Sequence, residues 1–250
     1  MVVLGVEPQR SRISRLEGGY QACRRAVTAA LEVLPARFGY RVLCGVTGSG
    51  KSRLLQALAQ EGAQVIDLEA LANHRGSVLG LVPGSPQPSQ KAFDTRVWDR
   101  LRRLDPSRPV WIEAESKKVG ALRVPQALVA AMREARCVLV DMEVEARVAL
   151  LMEDYDFFVR DVPAFCERLD ALRALRGNEQ VDAWQAQARA GQLQDVVREL
   201  LLRHYDPIYR QSTAKNFAGF AAAERVVLVD GSGEALAGAA RALLGAEVDP

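Results

Sequence analysis

The sequence has few cysteines and histidines, the side chains typical of structural metal centres, and it lacks long apolar runs. It contains four cysteines and two histidines in 250 residues. None of the cysteines forms a CxxC pair or a Cys/His cluster, which argues against a structural zinc site and favours a reduced, cytoplasmic setting. No apolar run approaches 18 residues and no signal peptide is recognisable, so we expect neither membrane insertion nor secretion. The formal net charge of +2 excludes a strong overall basic field.

Lysine is also scarce, because only five of the 33 basic residues are lysine and the rest are arginine. Arginine is suited to bidentate contacts with phosphate and to stacking on bases. A GC-rich genome explains the same ratio equally well, so the ratio alone does not identify a nucleic-acid partner. With 49% hydrophobic and 26% charged residues, the composition is that of a globular protein long enough for a sizeable core.

An eight-residue segment matches the phosphate-binding pattern GxxxxGK(S/T) without a mismatch. This glycine loop consists of Gly45, Val46, Thr47, Gly48, Ser49, Gly50, Lys51 and Ser52. Residues 41–44 before it resemble a buried strand, and residues 51–60 after it place leucines on one helical face. Between such a strand and helix, the N–H groups of the loop and the positive end of the helix dipole converge on an anion. Lys51 adds a point charge for the phosphates, and Ser52 can hold Mg²⁺. A glycine turn without a ligand is the alternative, but the context predicts a phosphate or diphosphate site.

Short apolar segments alternate with helical patterns along most of the chain. The predicted strands are residues 41–44, 63–67, 109–113, 137–141 and 225–230. One predicted helix follows Ser89 as its N-cap, and another runs from Pro125 to Arg133. This alternation predicts an α/β fold of the P-loop NTPase-like kind, with a mostly parallel sheet and helices on both faces.

Residues 143–209 break the alternation, because they contain helical patterns and no strand candidate. We expect a helical insertion over about residues 145–215, between the fourth and fifth strands. Its apolar residues are expected to form a small bundle: Leu150, Leu151, Leu169, Leu172, Leu175, Val196, Val197, Leu200 and Leu201.

Four acidic residues follow predicted strands: Asp67, Glu69, Glu113 and Glu115. Ligands of parallel sheets bind beyond the carboxyl ends of the strands, so we expect these acids beside the glycine loop. Glu113 and Glu115 should share one face, and Glu113 with Ser52 is the expected set of metal ligands. The alternatives are a helix N-terminus for Asp67 and Glu69, and an ordinary surface pair for Glu113 and Glu115.

Five further segments carry distinctive motifs. They are residues 17–22 (EGGYQA), 67–77 (DLEALANHRGS), 86–90 (PQPSQ), 111–116 (WIEAES) and 205–209 (YDPIY). In sequence and order these segments resemble the motifs of the tRNA 2-selenouridine synthase family, over roughly residues 16–229. The departures are small: Ala70 and Cys44 stand where the family has or favours glycine, Leu79 replaces phenylalanine, and Ala114 replaces aspartate.

The resemblance implies two parts, an N-terminal rhodanese-like domain with a catalytic cysteine and a C-terminal P-loop domain. It assigns residues 1–30 to a remnant of the rhodanese domain and a linker. Residues 31–250 are assigned to the P-loop domain with its helical insertion. None of the four cysteines lies where the rhodanese nucleophile is expected, so we expect that nucleophile to be missing from this chain.

The resemblance also implies a reaction at the wobble 2-thiouridine of tRNA. Geranyl diphosphate alkylates the sulfur, and selenium from selenophosphate then displaces the geranylated sulfur. We expect this chain to bind tRNA and the diphosphate donor with Mg²⁺ and to transfer the geranyl group. The selenium stage is expected to need a rhodanese cysteine, with a separate rhodanese protein as a partner. A small-molecule kinase or NTPase and a non-catalytic tRNA-binding subunit are the competing interpretations.

Individual residues then acquire expected roles. The expected catalytic residues are Lys51, Asp67, Glu69, His74, Glu113 and Glu115. Arg75 is expected to join the glycine loop as a phosphate ligand, whereas His74 acts on the thiouridine or only hydrogen-bonds a loop. The expected tRNA contacts are Arg96, Arg100, Arg103, Lys117, Lys118, Tyr205 and Tyr209. For the arginines a solvated charged face is the alternative, and for the tyrosines a helix end.

Overall fold

The fold is built on a five-stranded parallel sheet, and the computed structural model describes residues 19–75 and 85–246. The strands in chain order are β1 (Tyr40–Cys44), β2 (Gln64–Ile66), β3 (Val110–Glu113), β4 (Lys118–Val119), β5 (Leu122–Arg123), β6 (Arg136–Met142) and β7 (Glu224–Leu228). The sheet has the order β2-β3-β1-β6-β7, and every neighbouring pair is parallel. All five predicted strands are present in this sheet, while β4 and β5 form a separate antiparallel hairpin.

Helices occupy most of the remaining described chain. They are α1 (Gly19–Val33), α2 (Lys51–Gln60), α3 (Leu68–Ala72), α4 (Gln90–Leu101), α5 (Gln126–Arg133), α6 (Val144–Asp154), α7 (Asp156–Arg160), α8 (Val162–Asp170), α9 (Arg173–Arg176), α10 (Asn178–Arg189), α11 (Leu193–Leu200), α12 (Asp206–Asn216) and α13 (Gly233–Gly245). A π-helical turn, Leu201–Tyr205, joins α11 to α12.

Both faces of the sheet are covered, so the inner strands β1 and β3 are almost fully buried, whereas the edge strand β7 is mostly exposed. On one face, α1, α4 and α5 pack side chains such as Phe93 and Leu128 against the strands. On the other face, α2 and α13 contribute Leu54 and Leu236, and Trp111 of β3 is buried there as core. Each such leucine or phenylalanine contributes about 1.5–3 kcal/mol when fully buried. The α/β fold with a mostly parallel sheet and helices on both faces is therefore confirmed.

Between β6 and β7 the chain forms α6 to α12 and no strand. A third core lies inside this segment and is centred on aromatic and aliphatic side chains such as Phe158, Leu169 and Trp184. Two expected members of this bundle lie elsewhere. Leu150 packs into the core under the sheet with α2, and Leu175 is 64% exposed.

Local signals placed two helices correctly. The Ser89 side chain accepts a hydrogen bond from the Ala92 N–H and begins α4, and Pro125 immediately precedes α5. The β4–β5 hairpin was not predicted, because two-residue strands carry no readable periodicity. The expected remnant and linker cover residues 1–30, of which residues 1–18 lie outside the described part of the chain. The end of the HRGS motif at Gly76 and Ser77 lies outside it too, as does Leu79.

Across residues 19–75 and 85–246, no helix combines the length and apolarity needed to cross a membrane.

Candidate active site

The glycine loop curls between β1 and α2, at the carboxyl edge of the sheet. Gly50 caps α2 with φ at 85°, and Gly48 has φ at 76°, both in the left-handed region that favours glycine. At Gly48 a Cβ atom would lie 2.9 Å from the Leu151 Cδ1 atom, so a side chain would also collide with α6. The loop therefore presents the N-terminus of a ten-residue helix to the cleft above it.

Lys51 closes the loop with its ammonium group. Its Nζ atom donates hydrogen bonds to the carbonyl oxygens of Gly45 at 2.6 Å and Val46 at 3.1 Å. The same Nζ atom lies 5.4 Å from the ring centroid of Tyr209, within cation–π range. The positive charge is thus held over the mouth of the loop, where an anion bound to the N–H groups would meet it.

Tyr209 supports the loop from α12. Its hydroxyl oxygen accepts a hydrogen bond from the Gly45 N–H at 2.8 Å, across 164 residues of sequence. Burial raises the pKa of the Tyr209 hydroxyl above its usual value, so the group is neutral. Tyr209 was predicted as a tRNA contact; the structure places it under the glycine loop, and a role in stacking stays a prediction.

Two glutamates meet at the Ser52 hydroxyl, and a third glutamate lies beside them. Ser52 Oγ lies 3.2 Å from Glu69 Oε2 and 3.2 Å from Glu113 Oε2, so its one hydrogen can go to either. Oxygen atoms of Glu69, Glu113 and Glu115 all lie within 4.8 Å of one another. Glu113 is only 2% exposed, and its Oε1 atom has no hydrogen-bond partner among the described residues. The expected pairing of Ser52 with Glu113 is present, and Glu69 and Glu115 complete an all-oxygen cluster.

The glutamates raise one another's pKa values. Burial is the largest cause for each, and the neighbouring carboxylates add to it while Lys51 opposes it. The pKa of Glu69 and that of Glu115 are raised to about 8, and the pKa of Glu113 is raised as well. At neutral pH the cluster therefore holds protons that a divalent cation would displace. Clustered carboxylate oxygens and a hydroxyl are the donor set that Mg²⁺ prefers, so these residues fit that ion.

Asp67 has a structural task in the same region. Its side chain caps α3 by accepting a hydrogen bond from the Ala70 N–H at 2.8 Å. Burial raises the pKa of Asp67, and hydrogen bonds from the backbone N–H groups of Ala70 and Glu69 oppose the shift. The cap fixes the start of α3 and so directs Glu69 toward Ser52. The helix-start alternative for Asp67 is therefore seen in the structure.

His74, from the 67–77 motif, is buried against the turn of the β4–β5 hairpin. It is 6% exposed, its Nδ1 atom has no hydrogen-bond partner among the described residues, and burial lowers its pKa so that the ring is neutral. A Cβ atom on Gly120, in the hairpin turn, would lie 2.8 Å from His74 Nε2. Gln87 joins the same place by donating to the Val119 carbonyl at 3.0 Å and accepting from the Ala121 N–H at 2.9 Å.

Arg75 lines the cleft beside the end of α6. Its guanidinium carbon is 5.0 Å from the ring centroid of Tyr155, and Nη1 is 4.0 Å from an oxygen of Asp154. Both partners belong to the helical segment between β6 and β7. The guanidinium group of Arg75 is thus held by the Tyr155 ring and by one long ion pair with Asp154.

A single large cleft connects these residues. It is lined by the glycine loop, the glutamates, His74, Arg75 and parts of α12, and its volume is about 1210 Å³. Lys117, Lys118, Tyr205 and Tyr209 from the predicted tRNA contacts also line it. Small-molecule pockets usually measure roughly 300–1,000 Å³, so this open cleft exceeds the usual size of a small-molecule site.

The three predicted arginine contacts on α4 and just beyond its end do not line this cleft. Arg96 donates to the Leu71 carbonyl at 2.9 Å and Arg100 donates to the Val65 carbonyl at 2.7 Å, so both hold α4 to neighbouring segments. Arg103, in the turn after α4, pairs with Asp99. A role of these arginines in binding tRNA stays a prediction.

Arg147 and Asp206 are functional candidates that the sequence patterns did not reveal. Arg147 donates from Nε at 3.0 Å and from Nη2 at 2.7 Å to the carbonyl oxygen of Thr47. Its Nη1 and Nη2 atoms also bind both carboxylate oxygens of Asp206, at 2.9 and 2.6 Å. The side chains are 5% and 8% exposed. Asp206 lies within the 205–209 motif, which is a signal, whereas Arg147 carries none.

A parallel sheet with a glycine loop between its first strand and the following helix defines a P-loop NTPase-like protein. The model of the tRNA 2-selenouridine synthase AAA domain matches residues 39–227, and the chain belongs to this family.

Curated proteins of the same family are also similar to this chain. The tRNA 2-selenouridine synthase of Marinobacter nauticus is 30% identical over 222 residues, which cover 78% of this chain and 59% of that protein. Those of Aeromonas salmonicida and Hydrogenovibrio crunogenus are 33% and 34% identical over 223 residues, covering 78% and 79% of this chain. The chain therefore spans about 59% of the length of the relatives it matches.

Proposed function

We propose that this chain binds the diphosphate of geranyl diphosphate at the glycine loop and transfers the geranyl group to the wobble 2-thiouridine of tRNA. One observation carries the proposal. Lys51, Ser52 and three glutamates line one wide cleft together with lysine and tyrosine side chains, in a chain of the tRNA 2-selenouridine synthase family. An anion site at the floor and space for a polynucleotide above it are what this transfer requires.

The transfer is a substitution at the first carbon of the geranyl chain. The sulfur of 2-thiouridine attacks this carbon, a C–S bond forms, and the C–O bond to the diphosphate breaks. The electron pair of that bond leaves with the diphosphate, and the N3 proton of the base is lost to a protein base or to water. Lys51 and the loop N–H groups stabilise the charge that develops on the departing diphosphate.

Ser52, Glu69, Glu113 and Glu115 would hold Mg²⁺, with oxygen donors that suit this ion. The bound ion would neutralise part of the diphosphate charge. Neutral His74 offers a basic ring nitrogen to the cleft region, and we propose it as a candidate acceptor for the base proton. Arg75 lines the cleft and is a further phosphate ligand in this proposal.

The tRNA is proposed to approach over the hairpin and α12, where Lys117, Lys118 and Tyr205 line the cleft. The lysines would meet the backbone, and an aromatic ring can stack on an unpaired anticodon base. We propose that replacement of sulfur by selenium from selenophosphate follows and needs a rhodanese-like cysteine, on whichever chain it is carried. A cytoplasmic location, where tRNA is found, belongs to the same proposal.

The proposal is tested by incubating the purified chain with 2-thiouridine tRNA, geranyl diphosphate and Mg²⁺, and then analysing the digested nucleosides by mass spectrometry. We expect geranylated thiouridine, with a rate about 10²–10³-fold lower for Lys51→Ala. The exposed Lys215→Ala, on the far part of α12, is the matched control and should retain the rate. No product, together with hydrolysis of ATP or GTP, would favour a P-loop NTPase instead. No product with tRNA still bound would favour a non-catalytic tRNA-binding subunit.

A further inference from the structure

The wall of the large cleft holds an arginine that has no carboxylate partner. Three arginines line the cleft: Arg53, Arg75 and Arg133. Arg53 pairs with Glu153 and Asp154, and Arg75 has Asp154 at 4.0 Å. Arg133, in the last turn of α5, forms no ion pair with any residue in the described part of the chain. A guanidinium group on a cleft wall without a counter-charge from the protein is suited to binding an anion.

Arg133 is nevertheless held in place from α12. Its Nη2 atom donates a hydrogen bond to Asn216 Oδ1 at 2.8 Å, across 83 residues of sequence. Asn216 Nδ2 donates in turn to the Ser212 carbonyl oxygen at 2.7 Å, and it lies 3.3 Å from the Ser212 hydroxyl oxygen. This relay orients the guanidinium plane and uses only part of its N–H groups. The remaining N–H groups keep the planar fork that matches two oxygens of a phosphate.

The position of Arg133 along α12 separates it from the glycine loop. Tyr209, in the first turn of α12, accepts the hydrogen bond from the Gly45 N–H, and Asn216 ends the helix. At a rise of about 1.5 Å per residue, α12 carries Asn216 about 10 Å beyond Tyr209. The phosphates of one diphosphate share a bridging oxygen, so a diphosphate on the loop cannot also reach Arg133. An anion at Arg133 is therefore a second anion in the same cleft.

The surroundings of Arg133 favour a polynucleotide over a free ion. Lys117 and Lys118 on the hairpin are exposed, line the same cleft and form no ion pair with the residues that the structure describes. Cations spread along an open cleft follow a chain of phosphates, whereas a single free ion needs donors that converge on one point. Ile208 lies on the same face of α12 as Asn216, also lines the cleft and is 50% exposed. Its apolar surface suits the face of an unpaired base.

We propose that Arg133 and Asn216 form a second anion site that binds a backbone phosphate of the tRNA, an inference that rests on the function proposed above. The diphosphate of the donor lies on the glycine loop, and the tRNA phosphate lies at the Arg133 end of the cleft. The base to be modified is then held between the two anions. Arg133 acts as a positioning residue for the tRNA and does not contact the donor.

The test measures the affinity for 2-thiouridine tRNA by fluorescence anisotropy over a series of salt concentrations. For Arg133→Gln we expect binding about tenfold weaker at low salt, and a plot of log affinity against log salt that is less steep by about one, because one phosphate contact is lost. Inorganic diphosphate with Mg²⁺ should bind this variant within about twofold of wild type. Arg168→Gln, at an exposed arginine of α8 that does not line the cleft, is the matched control and should retain the tRNA affinity and the slope.

A second variant guards against a folding defect. Asn216→Asp keeps the guanidinium group but gives it a carboxylate partner, so it should weaken tRNA binding by a similar factor with an unchanged melting temperature. The inference is overturned if both variants bind tRNA with the affinity and salt dependence of wild type. It is also overturned if Arg133→Gln, added to Lys51→Ala, abolishes the binding of inorganic phosphate while tRNA binding stays unchanged, since the site then serves a free anion. If wild type forms no geranylated product but both variants lose tRNA affinity as expected, the proposed transfer fails and the second anion site stands.

Discussion

The buried pair of Arg147 and Asp206 should be among the most sensitive places in the molecule. Arg147 directs two hydrogen bonds to the Thr47 carbonyl and two to Asp206, and both side chains are almost fully buried. Asp206→Ala leaves the guanidinium buried without its counter-charge. Removing one member of such a pair costs about 3–5 kcal/mol, a large part of the 5–15 kcal/mol typical of a whole domain.

Urea denaturation measures this cost, and a double-mutant cycle separates the pair from its surroundings. We expect Asp206→Ala and Arg147→Met each to lower the unfolding free energy by about 3–5 kcal/mol. The double variant Arg147→Met, Asp206→Leu should recover most of the loss, because no unpaired charge remains buried. It should still bind inorganic diphosphate more weakly than wild type, since the Thr47 carbonyl has lost both donors.

Glu145→Ala is the matched control. Glu145 also lies on α6 and pairs with an arginine of the helical segment, Arg198, at 2.8 Å, but its side chain is 67% exposed. Solvent screens such a pair, so this variant should unfold like wild type. The reasoning is refuted if Asp206→Ala costs less than about 1 kcal/mol, or if the double variant loses the sum of the single losses.

Three further predictions concern the site and its supports. Without divalent cations, the unfolding free energy of wild type should fall relative to that of Glu115→Gln between about pH 5 and 8. The folded protein keeps the Glu115 proton up to its raised pKa of about 8, whereas the unfolded chain loses it near 4.5, so the stabilisation is lost as pH rises through this window. Tyr209→Phe should cost about 1–3 kcal/mol in urea and weaken diphosphate binding, because the Gly45 N–H loses its acceptor; unchanged values in both assays would contradict this role. Ser89→Ala should cost about 1 kcal/mol through the lost cap of α4 and leave geranyl transfer unaffected, and a much lower rate at equal folding would be the contrary result.

Local rules explain what the sequence could predict. The glycine loop, the five strands and the caps of α4 and α5 depend on residues a few positions apart, so their patterns are visible in the chain. The meeting of Ser52 with Glu113 was predictable because parallel strands bring their carboxyl ends to one edge. For Asp67 the sequence left two roles open, a catalytic residue or the start of a helix. The hydrogen bond that its side chain accepts from the Ala70 N–H shows that it caps α3.

Contacts between distant segments explain what could not be predicted. Arg147 and Asp206 are 59 residues apart, and Tyr209 reaches Gly45 across 164 residues, through helices whose packing no local pattern encodes. Arg96 and Arg100 have the spacing of a charged surface stripe. Each nevertheless donates to a backbone carbonyl of a neighbouring segment, which depends on how α4 is laid against the sheet.

The position of the helical segment also bears on the order in which the fold assembles. In chain order, the longest connection among β1, β2, β3 and β6 is residues 67–109, whereas β7 pairs with β6 only after the chain has returned from residues 143–223. Closing a loop on the order of eighty residues is entropically unfavourable until that loop has become compact by itself. We therefore expect β7 and α13 to join last during folding. Substitutions in the core around Trp184 should slow this final step and leave the earlier pairing of β1 with β3 unchanged.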